Sequence, residues 1–339
     1  MFNTNKIILI GDMHVKKSDI PECQSFIQWV SYIAQTQKAT LMFLGDQYND
    51  FGIADVEVQE FWKTAYDHVN SVGVNSISLV GNHDANQQNT ASFMTVHDKQ
   101  TLVIGREMIK LSASIFAVGF IRKEDEFYTK VMKAYTEGAR LVICHAEFNG
   151  CQYENGFYAP HGFDLSKYPA DLQFLSGHIH LKQGFGNVTY PGSPRHLTRS
   201  DIGSIKGVHV WNLVDGLMEF VQTPETVCEP FQSIVITESS YDAKLIKNIA
   251  NSKKVYVEIQ GSKEFSKKIS KTLAENVHVR SVYTTEAKEV KVRESEGVPK
   301  SFNRFQQDFF KNNVVSPEIE KAVLEKVYQA CPSLKLGLT

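Results

Sequence analysis

The chain of 339 residues lacks several things, and each absence excludes something. No uninterrupted apolar stretch approaches the ~20 residues that a membrane-spanning helix needs, so no membrane partner is expected. Cysteine is sparse: Cys23, Cys144, Cys151, Cys228 and Cys331 are odd in number, widely spaced and contain no C-x-x-C pair. A disulfide framework and a zinc knuckle are both excluded on that pattern, and a reducing compartment such as the cytoplasm is expected. Met1-Phe2-Asn3-Thr4-Asn5-Lys6 runs directly into a strand-like segment, without an apolar h-region or a small-residue cleavage site, so no secretory signal is expected. Excess positive charge is also missing. A net charge of −2 argues against a protein that merely coats nucleic acid. It leaves a nuclease open, because a site that holds cationic metals needs clustered acids and draws phosphate through the metals. Internal repeats and low-complexity tracts are absent, and 42% hydrophobic with 22% charged residues places the chain among globular proteins.

What is present is a set of short apolar runs that end in polar, metal-type residues. Ile7-Ile8-Leu9-Ile10 reads as a buried strand closing at Gly11-Asp12-Met13-His14. Leu41-Met42-Phe43-Leu44 closes at Gly45-Asp46, and Ile77-Ser78-Leu79-Val80 at Gly81-Asn82-His83-Asp84. Helical spacing of apolar residues over 22–37 and 55–72 places a helix between successive strands, the pattern of an open α/β sheet with its site at the strands' carboxyl ends. Beyond residue 90, 101–104, 108–111 and 114–118 are short runs that suggest antiparallel strands of a second sheet, followed by a helix over 124–138. Leu141-Val142-Ile143-Cys144 then ends at His145, and Leu172-Gln173-Phe174-Leu175 ends at Gly177-His178-Ile179-His180. Further strands are expected at 187–191 and 207–214.

The character changes near Thr223-Pro224-Glu225. The domain expectation is 1–225 for the catalytic part and 226–285 for a small α+β domain with strands at 233–237, 255–259 and 277–283 and helices at 242–251 and 263–275. A charged linker over 286–300 and a helical segment over 301–339 complete the chain. In the last segment Phe302, Phe305, Phe309 and Phe310 form one stripe, and Ile319, Val323 and Val327 belong to another. Packing on the rest of the chain and packing on a partner both account for them.

Asp12 and His14, like His178 and His180, are two apart, so extended backbone points each pair to one side, where they can chelate an ion. Taken alone, Gly81-Asn82-His83-Asp84 could be an ordinary polar turn. Five strand ends finishing in Asp, Asn or His are harder to assign to chance. The donors suit two divalent cations such as Mn²⁺, with zinc or iron also feasible, and a carboxylate such as Asp46 is the natural bridge between two ions. The chemistry inferred is metal-assisted hydrolysis of a phosphate ester, with His83 protonating the leaving oxygen or stabilising the transition state. His68, His97, His196, His209 and His278 lack this placement and read as ordinary residues.

The order D-x-H, G-D, G-N-H-D, H, G-H-x-H resembles the calcineurin-like metallophosphoesterases over 6–214. The resemblance implies a four-layer αββα sandwich. It implies Asp12, His14, Asp46 and His180 around one metal, and Asp46, Asn82, His145 and His178 around the other. It implies His83, supported by Asp84, at the leaving group. Asn49 stands where many members of the family carry a second Asp. The layout further resembles the SbcD-type recombination nucleases, in the Tyr190-Pro191-Gly192-Ser193-Pro194 stretch, in His145-Ala146-Glu147-Phe148-Asn149-Gly150 with His161-Gly162 as in phage versions, and in the two C-terminal parts. That implies a Mn²⁺-dependent endo- or exonuclease acting on DNA ends in recombination and repair. It implies a DNA-capping role for 226–285, a homodimer formed through 22–37 or 55–72, and an SbcC-type, SMC-like ATPase gripped by the terminal helices. A phage-encoded protein would work in the host cytoplasm. Lys16, Lys17, Arg195 and Arg199, which flank the site loops, are expected on the DNA backbone. A small-molecule phosphodiesterase or phosphatase of the same fold, or a scaffold without catalysis, are the alternatives.

Overall fold

The computed structural model describes residues 4–86, 91–242, 254–273 and 278–283, with Lys244, Ile246 and Ile249. Met1–Val282 form one compact unit and Tyr283–Thr339 a second. The expected linker over 286–300 and the terminal segment with Phe302, Phe305, Phe309, Ile319, Val323 and Val327 lie outside the described residues, as does most of the expected helix over 242–251.

The core follows from period-two alternation along strands buried on both faces. In β1 (Lys6–Ile10), Ile8 and Ile10 pack outward against two helices, while Ile7 and Leu9 point to the opposite face. The helices are α1 (Ile20–Gln37) and α2 (Val56–Ser71), which bury Phe26, Val30, Phe61, Trp62 and Val69 against the sheet. The Asp55 side chain caps α2 by accepting from the Glu57 and Val58 amides, which have no carbonyl partner within the helix. β2 (Ala39–Phe43), β3 (Ser76–Leu79) and β4 (Leu102–Ile104) continue the sheet in parallel from β1.

The second sheet begins with β5 (Ile109–Lys110) and β6 (Ile115–Ala117). After α3 (Glu124–Thr136) come β7 (Leu141–His145), β8 (Gln173–Gly177), β9 (Gln183–Phe185) and β10 (Val188–Tyr190). The chain then returns to the first sheet as β11 (Gly207–Asn212), antiparallel to β1, and β12 (Met218–Gln222), antiparallel to β11. The strand orders are β12-β11-β1-β2-β3-β4 and β5-β6-β7-β8-β10-β9. Ile7, Leu9, Met42, Leu44, Ile77 and Leu79 meet Ala117, Ile143 and Leu175 between the sheets, and α3 packs Phe127 and Val131 on the far side of the second sheet. The architecture is therefore αββα.

One expectation is corrected. The run at 101–104 is not part of an antiparallel second sheet: β4 pairs in parallel with β3 in the first. The second sheet is itself parallel along β6-β7-β8-β10, and only its rim pairs β5–β6 and β10–β9 are antiparallel. Short apolar runs show burial but not direction, which the crossover through α3 decides.

The small α+β part carries β13 (Gln232–Thr237), β14 (Val255–Gly261), α4 (Lys263–Thr272) and β15 (His278–Tyr283). β13 runs parallel to β14, the middle strand, and Ile236, Val257, Ile259 and Ile269 form its separate core.

Candidate metal centre and active site

Adjacent parallel strands β1, β2 and β3 end beside each other, and across the sandwich so do β7 and β8. The loops after β1 and β2 stay hydrogen-bonded beyond the strands, His14 N to Asp46 O at 2.9 Å and Val15 N to Gln47 O at 3.0 Å. Three site residues, His14 (φ 43°), Asp46 (φ 54°) and His178 (φ 83°), hold left-handed backbone that residues with a Cβ seldom adopt. Strain of this kind, of order 1–3 kcal/mol each, concentrates where function demands a fixed geometry. Glycine makes the close approach possible. A Cβ on Gly81 would lie 2.1 Å from Asp46 Oδ1, and one on Gly45 (φ 105°) would lie 2.4 Å from His145 Nδ1.

Two separate groups of donors converge there, Asp12, His14 and His180, and Asp46, His145 and His178, and a third group, His14, Asp46 and His83, overlaps both. Asp46 Oδ2 lies 3.5 Å from His14 Nε2 and 3.4 Å from His145 Nε2, so a single oxygen faces both groups. Its Oδ1 is held by the His83 amide at 2.9 Å. Asn82 Oδ1 adds to the second group, 2.9 Å from His145 Nε2 and 2.8 Å from His178 Nδ1. His145 donates Nδ1–H to Leu44 O at 2.8 Å, which turns the Nε2 lone pair inward.

The electrostatics suit cations. Asp12 and Asp46 are each 1% exposed. Burial pushes the Asp12 carboxyl up to about 7, and its Oδ2 has no hydrogen-bond donor. Burial also disfavours charge on Asp46, but His145, His14 and His83 around it outweigh that and hold it below the usual carboxylate range. Burial lowers His14 and brings His180 down to about 4, keeping both imidazoles neutral, with lone pairs free to bind. Their Nε2 atoms face each other at 3.1 Å, where at most one proton fits between them. Buried imidazole nitrogens and carboxylate oxygens converging on two common points could hold two divalent cations.

The remaining expected residues separate. His83 donates Nδ1–H to the Asn49 carbonyl and packs on Phe51 with ring centroids 3.7 Å apart and the planes tilted by 35°, leaving Nε2 4.0 Å from Asp46 Oδ2. Asn49, at the departure from the family pattern, thus supports His83 through its backbone. Asp84, grouped with His83 at the catalytic site and expected to orient that residue or brace its loop, is fully buried and accepts from Gly81 N at 2.8 Å and Tyr48 N at 2.9 Å. It ties the two loops together. Arg195, expected on the DNA backbone, is buried instead. Its guanidinium donates to Met13 O and His14 O at 2.9 and 3.1 Å and pairs with Asp19 and Glu22. Lys16 lines the site cavity of 330 Å³ with His14, His83 and His180. Lys17 is paired with Glu57 at 2.6 Å, and Arg199 lies over the Tyr256 ring.

Sequence reasoning missed three neighbours of the histidines. Glu147 and Glu154 approach His178 and His180, and Lys206, paired with Asp201, donates to the His180 carbonyl at 2.9 Å. For Glu147 a signal existed, since it stands two residues after His145.

Residues 5–182, more than half of the chain, match the calcineurin-like phosphoesterase family. Over 312 residues the chain is 22% identical to exonuclease subunit 1 of Enterobacteria phage T4, covering 82% of this chain and 90% of that protein. Similar solved structures include a novel archaeal phosphodiesterase (TM-score 0.35, 11% identity, 64% of this chain and 99% of that one). Another is the sulfate thiohydrolase SoxB of Thermus thermophilus (TM-score 0.31, 14% identity, 60% of this chain and 42% of that one). The strand-end site and the family match cover the same stretch of sequence, and the chain belongs to the calcineurin-like phosphoesterases.

Proposed function

We propose that this chain is a metal-dependent phosphodiesterase that cleaves DNA, the nuclease subunit of a complex with an SMC-like coiled-coil ATPase of the SbcC type. The observation that carries the reading is Asp46 Oδ2, a single buried oxygen facing two groups of imidazole and carboxylate donors. The family works with a divalent metal pair. Here Asp12, His14, Asp46 and His180 would hold one ion, and Asp46, Asn82, His145 and His178 the other. The mixed nitrogen and oxygen donors suit Mn²⁺. Such a pair supplies Lewis acidity toward phosphate oxygens and lowers the pKa of water.

The chain's own groups do the rest. His83 keeps one proton on Nδ1 through the Asn49 carbonyl and presents Nε2 to the cavity, where, carrying a second proton on Nε2 as the imidazolium, it gives that proton to the departing oxygen and is left neutral. Asp84 and Gly81 keep the His83 loop against Asp46. Lys16, at the cavity wall, meets the phosphate backbone, with Lys17 and Arg199 further out. DNA as substrate is supported by the similarity to the phage exonuclease subunit. Work in recombination and double-strand break repair, a homodimer, a capping role for 226–285 and a cytoplasmic setting, in the host for a phage protein, complete the reading. The small cavity, 330 Å³, keeps a small phosphodiester as the second reading.

The test compares Mn²⁺-dependent cleavage of blunt DNA, hairpin DNA and a chromogenic phosphodiester. His83→Ala is expected to lose about 10²–10⁴-fold in DNA cleavage while still binding Mn²⁺. Full activity of that variant at saturating Mn²⁺ would remove His83 from the reaction. Cleavage of the small ester alone would favour the second reading.

A further inference from the structure

The loop that joins β7 to β8 brings two carboxylates to the outer nitrogens of two site histidines. His178 turns Nδ1 toward Asn82 Oδ1 and its Nε2 toward Glu147 Oε2, 3.6 Å away. His180 does the reverse. Its Nε2 faces His14 Nε2 at 3.1 Å and Asp12 Oδ2 at 3.4 Å, and its Nδ1 lies 3.3 Å from Glu154 Oε1. Glu154 Oε1 is buried and makes no hydrogen bond of ordinary geometry. A neutral imidazole carries one proton, so a carboxylate on one nitrogen decides which nitrogen keeps its lone pair. The two rings need opposite tautomers, and two residues of one loop stand where each is selected.

The loop is built to hold them. Tyr153 donates its hydroxyl to Glu147 Oε2 at 2.6 Å. Phe163 N donates to Glu147 O at 2.7 Å, Ala159 N to Cys151 O at 2.8 Å and Tyr153 N to Phe157 O at 2.8 Å. Phe148, beside Glu147, is fully buried in the core of the second sheet. Ordered backbone on both sides of each carboxylate separates this arrangement from two surface acids that happen to lie near a ring.

We propose that Glu147 and Glu154 are positioning residues, each locking one histidine of the Gly177-His178-Ile179-His180 segment in the tautomer that presents its lone pair to a different metal ion. The inference rests on the two-metal reading above. Partners behind a metal-bound histidine typically change metal affinity 10–100-fold, roughly the effect expected here. Glu147→Ala is expected to weaken one Mn²⁺ by roughly that factor and leave the other unchanged, and Glu154→Ala to weaken the opposite one. Glu147→Gln and Glu154→Gln keep an acceptor without its charge and fall in between. Tyr153→Phe, which leaves both acids in place, has a smaller effect on the Glu147 ion alone.

Calorimetric titration with Mn²⁺ reads the affinities on the full chain, and electron paramagnetic resonance distinguishes a coupled pair from a single ion. Thermal melting of the metal-free chains confirms that the variants are folded. In a His145→Ala background, where the second ion is already weakened, Glu154→Ala should weaken the remaining ion and Glu147→Ala should not. Wild-type affinity in all variants, or equal weakening of both ions by either folded variant, would overturn the proposal. A wild-type chain that binds no Mn²⁺ pair would overturn the two-metal reading itself, and the proposal with it.

Discussion

At the scale of residues, buried charges sort by whether they have a partner in the chain. Among the described residues Asp12 has imidazoles beside it but no Lys or Arg, and burial outweighs His145 and pushes the carboxyl up to about 7, whereas Asp201 has Lys206 at 2.5 Å. Burial disfavours charge on Asp201, but Lys206 and the Leu197 and Thr198 amides outweigh it and hold the carboxyl below its ordinary value of 3.8. The pair sits behind the site, with Lys206 reaching the His180 carbonyl. Asp201→Asn leaves a buried ammonium unpaired, and a loss of about 3–5 kcal/mol at neutral pH is expected from denaturant unfolding. The sign follows from the depressed pKa. The Asp201 carboxylate contributes its full stability above the unfolded value near 3.8 and loses it as pH falls through the folded value. The gap between wild type and variant should therefore narrow below about pH 3.8. An equal gap from pH 7 to pH 3 would count against this account. The pairing is not legible in the sequence, because Asp201 and Lys206 look like any two charges of a polar loop.

At the scale of elements, the site depends on how closely strand ends approach. The strands and their polar endings were legible, since apolar runs closing in Gly and Asp or His carry their own pattern. Strand direction was not, as β4 shows. The reason for each glycine was also hidden. Gly81 reads as a turn residue, yet it is the space it leaves for Asp46 that matters. Gly81→Ala must push the Asn82-His83 loop and Asp46 apart, and a displacement near 1 Å at a reacting group can cost ~10²-fold. Phosphodiester turnover is expected to fall by about that factor. A variant with wild-type turnover would show that the loops yield without consequence. Arg195 teaches the same lesson from the opposite direction: a basic residue after Gly192-Ser193-Pro194 looks like a phosphate ligand, but the loop folds its guanidinium inward onto the Met13 and His14 carbonyls.

At the scale of the whole molecule, the phosphoesterase sandwich is tied to the small α+β part through a continuous set of charges. Lys254, just before β14, pairs with Glu22 of α1 at 2.5 Å, and Glu22 lies 3.6 Å from Arg195, which holds the Asp12–His14 loop. Among the described residues no helix is long and apolar enough to cross a membrane. The proposed partnership with an ATPase places its contact in the segment after the charged linker. Deleting 301–331 is expected to abolish co-purification with that partner while Mn²⁺ binding persists. An intact complex after the deletion would move the contact elsewhere.

The sequence by itself determined where the buried strands end and which polar residues close them, because burial and strand period are local, while the αββα class followed from the resemblance of the motif order to the calcineurin-like metallophosphoesterases. Only the tertiary structure decided which of those residues converge. It showed which loops Asp84 joins, turned Arg195 into a buried clamp, and brought Glu147 and Glu154 to the outer faces of two histidines. Those outcomes depend on contacts between loops far apart in the chain, and the direction a side chain takes there is set by the packing of both sheets, not by its neighbours in sequence.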